Sequence, residues 1–234
     1  MIEKWWVFPF IAMLGISLLA FIPSPSNTLN PNKYIDCPEN IFIKASTIDL
    51  YFDDTSDKIF LNDKLFVEEK KDEVYLTAPS QFSISSQSTK IVIGTKKRIQ
   101  KLRVDGTSIK ISGIAAITSI IIDGIGVDID SDISCENIDI KGTGITVKGL
   151  LDCSTARING TAVSLNIALA NNTSMDLNCT NINATIKYYE DSPYFKTLRI
   201  NGLSGVLSLI LPKNDFFNVE KNISKNIVVN TFFY

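Results

Sequence analysis

The chain has 234 residues, 23 Lys and Arg against 25 Asp and Glu, a net charge of −2 and no histidine. The near-neutral balance gives no electrostatic basis for holding nucleic acid or an anionic membrane surface. The missing histidine excludes Ser-His-Asp and Cys-His nucleophile systems and removes the commonest zinc ligand.

Residues 5–22 carry no charge over 18 positions, and a helix needs about 20 residues to span the hydrocarbon core. Trp5 and Trp6 suit the interface, with Lys4 on the inner side. Residues 1–22 therefore read as an N-terminal transmembrane anchor that leaves the rest of the chain extracytoplasmic in a single-pass cell-membrane protein. The competing reading is a cleaved signal peptide, which would make the chain secreted. It is disfavoured because Leu18-Leu19-Ala20 is a poor cleavage site and Pro23 and Pro25 crowd the positions beyond. Residues 23–36 read as a linker, opening with the Pro-, Ser- and Asn-rich PSPSNTLNPN.

Residues 37–100 read as an irregular, antiparallel β section that covers the first regular unit. Strand-like runs fall at 41–43, 47–52, 58–61, 64–67, 73–76, 82–84 and 90–93, separated by charged turns at 53–57 and 68–72.

A strict phase begins after residue 100. Gly106, Gly124, Gly142 and Gly160 recur every 18 residues. Two residues before them stand Val104, Ile122, Ile140 and Ile158, and four before them Leu102, Ile120, Ile138 and Ala156. Three after come Ile109, Val127, Ile145 and Val163, and five after Ile111, Ile129, Val147 and Leu165. Each unit is two alternating strands joined at a glycine bend, where a Cβ would be strained. Two degenerate units centre on Cys179 and Gly202. The expected fold over residues 101–211 is all-β, a single-stranded right-handed β-solenoid of about six coils, each of about 18 residues. Gly106, Gly124, Gly142, Gly160 and Gly202 are its bend positions. The alternative is a β-sandwich whose units are hairpins. Residues 212–234, with Phe216, Phe217 and an apolar run at 227–234, read as a C-terminal cap.

Candidate chemistry is sparse. Cys135 and Cys153 each lie seven residues before a bend glycine, so they share one slot of consecutive units. In a stack, equivalent residues sit about 4.8 Å apart, within disulfide reach. They are a candidate disulfide, weighed against two buried thiols packed as small hydrophobes. Cys37 and Cys179 have no assignable partner. Asp128, Asp130 and Asp132 alternate on one strand face and form a weak calcium candidate, weighed against a solvated face. Lys110 occupies the Asp128 slot one unit earlier, which would set a modest surface ion pair. The slot before each bend carries Asp105, Asp123, Lys141, Asn159, Asn178 and Asn201, an outward polar ladder. No cofactor is indicated.

The units LRVDGTSIKISG, IIIDGIGVDIDS, IDIKGTGITVKG and RINGTAVSLNI resemble those of the bacterial putative-adhesin family of β-strand-repeat proteins, over roughly residues 41–211. The resemblance implies a short single-stranded β-helix, often behind a membrane anchor, with no established catalytic residues to carry over. The expected function is non-enzymatic: an adhesin-like or scaffolding protein whose partners are the membrane, through residues 5–22, and an envelope protein or glycan, with no nucleic acid. Two other classes compete. A polysaccharide-acting β-helix enzyme would have longer stacks and clustered acids, and here only one acidic cluster occurs. The outer sensing subunit of an envelope-stress system would have to signal through another membrane protein.

Overall fold

The computed structural model describes residues 33–63, 65–78, 88–170, 173–188, 196–213 and 219–234. The segment 5–22, the run 82–84 and Phe216 and Phe217 lie outside the described residues. Among the described residues no helix is long and apolar enough to cross a membrane.

The described chain is all-β. Its strands are β1 (Tyr34–Asp36), β2 (Asn40–Asp53), β3 (Lys58–Leu61), β4 (Phe66–Lys70), β5 (Glu73–Thr77), β6 (Thr89–Gly94), β7 (Ile99–Leu169), β8 (Ser174–Tyr188), β9 (Lys196–Leu211), β10 (Val219–Ile223) and β11 (Ile227–Phe233). All eleven belong to one sheet. The central pairs β2–β7, β7–β8 and β8–β9 are parallel. Hairpin units, as in the sandwich alternative, would have made them antiparallel.

β7 runs for 71 residues. A straight strand of that length would extend about 230 Å. Instead, residues 18 apart touch along it. Ser131 Oγ donates to the Gly113 carbonyl at 2.6 Å, and the Leu150 N–H donates to Asp132 Oδ1 at 2.8 Å. A Cβ added to Gly142 would stand 2.6 Å from the Gly124 carbonyl oxygen. The periodic apolar residues therefore come into register with themselves, and all of them are buried in one hydrophobic cluster. Ala115, Ile133, Leu151 and Leu169 add a further buried row that the four glycine-flanking slots do not include.

The N-terminal section departs from the expected irregular, antiparallel one. β2 lies parallel to β7, with Ile41, Ile43, Ala45, Ile48 and Leu50 opposite Leu102, Val104, Gly106, Ile109 and Ile111. It carries the repeat pattern, with Ala45 in the glycine slot. The intervening strands put Ala45 and Gly106 61 residues apart, and so hide the phase. β5 and β6 pair parallel with β2. Among the described residues, antiparallel pairing is confined to β1–β3, β3–β6 and β4–β5. At the other end β10 and β11 both pair parallel with β9.

Candidate interaction surface

The bend glycines set the frame of the surface. Among the described residues only Gly113, Gly149 and Gly205 have positive φ, at 101°, 110° and 144°. Gly106, Gly124, Gly142 and Gly160 are needed for a different reason. A Cβ on them would meet the carbonyl oxygen of Ala45, Gly106, Gly124 or Gly142 at 2.7, 3.0, 2.6 or 3.0 Å. Gly202 is looser, with Ile227 Cδ1 at 3.1 Å and the Cys179 carbonyl oxygen at 3.4 Å. The column is glycine because backbones approach closely there, not because its φ is left-handed.

Side chains that alternate with the buried ones point outward in rows. Before the bends, Asn178 Nδ2 donates to Asn159 Oδ1 at 3.1 Å, and Asn201 Nδ2 donates to Asn178 Oδ1 at 2.9 Å. Earlier in the same rows Arg103 pairs with Asp105 at 3.0 Å and Lys141 with Asp139 at 3.6 Å. Arg98 reaches Thr118 at 3.0 Å and Glu136 at 3.3 Å, tying three passes of the chain together. Lys110 and Asp128 are both exposed, and the described ion pairs join other groups. After the bends, Asn166 lies beside Thr185, and Thr185 beside Ser208, which in turn faces Asn230. Ser164 lies beside Asn183. These small polar residues stand in adjoining rows; the Ser164–Asn183 row continues into exposed Val206 and Val228, and Asn166 and Thr185 line a shallow concavity with Asp132 and Lys187.

Asp128, Asp130 and Asp132 are all exposed. Among the described residues no group of three or more His, Cys, Asp or Glu side chains could hold a metal ion. Asp132 is engaged by the Leu150 N–H, which ties it to the turn at Gly149.

Cys135 and Cys153 are brought together and buried, here in the reduced form. Their hydrogen bond and their burial push the Cys153 thiol well up. The Cys153 N–H donates to Thr173 Oγ1 at 3.2 Å, and that hydroxyl donates to the Leu151 carbonyl at 3.2 Å. Cys37 and Cys179 are also free. Burial, then the nearby Asp57 charge, pushes the Cys37 thiol up to about 11. Cys179 stands in the glycine column between Gly160 and Gly202.

Sequence reasoning missed two surface features. Phe42 and Tyr75 stack at 4.7 Å and 9°, with Lys101 over Phe42 at 5.7 Å and Lys70 over Tyr75 at 4.4 Å. Only the β2–β5 register brings them together, and no local spacing signals it. The second feature is β11, read as a cap, which exposes Val228, Val229, Phe232 and Phe233 on both faces.

No protein-family model and no curated protein matches the chain. Solved structures do. A protein described as a putative adhesin from Bacteroides fragilis NCTC 9343 superposes with a TM-score of 0.52 at 16% identity, covering 87% of this chain and 98% of that one. A protein described as a putative lipid binding protein from Parabacteroides distasonis ATCC 8503 gives a TM-score of 0.41 at 18% identity, covering 88% and 98%. What this chain shares with the Bacteroides fragilis protein is the fold.

Proposed function

We propose that the chain is a non-enzymatic binding or scaffolding protein of the cell envelope. It winds as a single-stranded right-handed β-solenoid, is held at the membrane by residues 5–22, and presents its outer polar face to an envelope glycan or protein. The observation that carries this reading is the in-register face of Ser164, Asn166, Asn183, Thr185, Ser208 and Asn230. Rows about 4.8 Å apart place hydroxyl and amide groups at one repeating interval. Such a face offers many weak hydrogen bonds to an extended polar ligand and little to a compact one. The winding is supported by the contacts at 18-residue intervals along β7. Its hand follows from the strong preference of parallel crossover connections for the right-handed sense. The adhesin description of a protein sharing the fold is consistent with a binding role.

The test is binding of the full-length protein, in detergent, to isolated envelopes and to an array of envelope glycans, alongside the double variant Asn166→Arg/Thr185→Arg. Saturable binding that the variant loses, with an unchanged thermal midpoint, supports the reading. Equal binding by both proteins overturns it. Extraction of membranes at alkaline pH tests the anchor separately, and release of the intact chain into the soluble fraction would remove it.

A further inference from the structure

We infer that Cys135 and Cys153 form a disulfide that staples two successive passes of β7, made while the chain folds and sealed once it has folded. Register, neighbourhood and exclusivity support this.

The register is fixed on both sides of the pair. Before it, the Leu150 N–H donates to Asp132 Oδ1 at 2.8 Å, and a Cβ on Gly149 would lie 2.4 Å from the Ser131 carbonyl oxygen. After it, a Cβ on Gly160 would lie 3.0 Å from the Gly142 carbonyl oxygen. All three contacts join residues 18 apart, as are Cys135 and Cys153. The two cysteines are therefore direct neighbours across adjacent passes, both buried in the core. Neighbouring strands lie about 4.8 Å apart, inside the Cα separations a disulfide accepts. The other two cysteines are elsewhere. Cys179 belongs to the glycine column, and the Cys37 N–H is bound to the Asp57 carbonyl at 3.1 Å at the β1 end of the sheet.

Exposure sets the order of events. Cys135 is 9% exposed and Cys153 2%. The Cys153 backbone is held from the next pass by Thr173, itself fully buried. An oxidant cannot reach the closed pair, so the bond must form on the open chain by exchange with a partner disulfide. The thiolate of one cysteine attacks a sulfur of that disulfide, forming a mixed disulfide and releasing one thiol. The second cysteine, deprotonated, then attacks the mixed disulfide at the protein sulfur and releases the other thiol. Two protein thiols become one disulfide, and the partner disulfide is reduced to two thiols that carry away both protons.

Full-length protein, unfolded and reduced, is refolded in detergent with oxidised and reduced glutathione. It is then denatured, alkylated without reduction and digested with trypsin. Lys141 and Lys148 lie between the two cysteines, so the bond leaves two peptides joined. The expected result is that joined pair, two hydrogens lighter than its parts, in the parent and equally in a Cys37→Ser/Cys179→Ser variant that leaves the pair untouched. Protein refolded under reducing conditions should have a thermal midpoint about 6–12 °C lower than protein refolded with the bond, as an 18-residue loop predicts for a chain of this size. Alkyl groups on both Cys135 and Cys153 of the refolded parent, or either cysteine joined to Cys37, Cys179 or glutathione, overturns the inference.

Discussion

At the scale of the single residue, glycine is required by crowding in one column and by dihedral angle elsewhere. Gly142 and Gly144 separate these demands from ordinary helix or strand propensity. Gly142→Ala drives a Cβ to 2.6 Å from a backbone oxygen, whereas Gly144→Ala meets nothing within 4 Å. Urea denaturation should show a loss of about 1–3 kcal/mol for Gly142→Ala, the range for overpacking, and a change within about 0.5 kcal/mol for Gly144→Ala. Gly205→Ala combines a φ of 144° with a Cβ 2.0 Å from the Ile182 carbonyl oxygen, and should cost more than Gly142→Ala. The crowded column was legible in the sequence because its spacing repeats. Gly113 and Gly149 were not, because Ser131 holds the equivalent slot between them and breaks the pattern. Only the fold shows that this slot is a second corner, where the Ser131 hydroxyl binds the Gly113 carbonyl.

At the scale of the element, β2 shows how a repeat escapes notice. Its side chains match the repeat slot for slot, yet the excursion through β3 to β6 displaces them from the interval. Periodicity reports sequence distance and cannot register a detour. The outward asparagines, by contrast, were readable as a polar ladder, and the structure supplies their bonds. Asn178 donates to Asn159 and accepts from Asn201 while facing Asp176 Oδ1 at 3.3 Å. Asn178→Ala should cost about 1 kcal/mol. Asn178→Asp sets a carboxylate against Asp176 and the Asn159 oxygen, so its folded-state pKa rises above the unfolded value. Its penalty should therefore be larger at pH 7 than at pH 4, measured by thermal midpoint at both. β11 makes a different prediction. It pairs with β9 and carries no charge over Ile227–Phe233, the kind of edge that other chains tend to extend. Val229→Lys should reduce concentration-dependent self-association in light scattering. A parent protein that stays monomeric at all concentrations would remove this expectation.

At the scale of the whole molecule, titration behaviour follows from composition. No histidine side chain is present to titrate between pH 6 and 8, so stability should be nearly flat there. Above pH 9 it should fall. The Cys37 thiol ionises near 9.0 in the unfolded chain but stays protonated in the fold until about 11. Its contribution is complete below the unfolded value and is lost as pH rises through the folded one. Burial moves Tyr188 in the same direction. Urea midpoints measured from pH 6 to 11 should trace a plateau and then a decline, smaller in Cys37→Ser.

The unequal distances between paired strands bear on how the molecule comes into being. Along β7 each new pass needs a closure of only 18 residues, whereas joining β2 to β7 needs 61. Closure entropy makes that first step about 1 kcal/mol costlier than each later one. That difference predicts folding like a filament with a slow seed and rapid growth, with β2 and the strands around it as the nucleus and every later pass added to the edge before it; mutations in β2 should then slow refolding, measured by stopped flow, more than mutations in β9. With the seed nearer the N-terminus than β7 to β9, growth would run in the direction in which the chain is made. Each pass would then find its template waiting as it emerges.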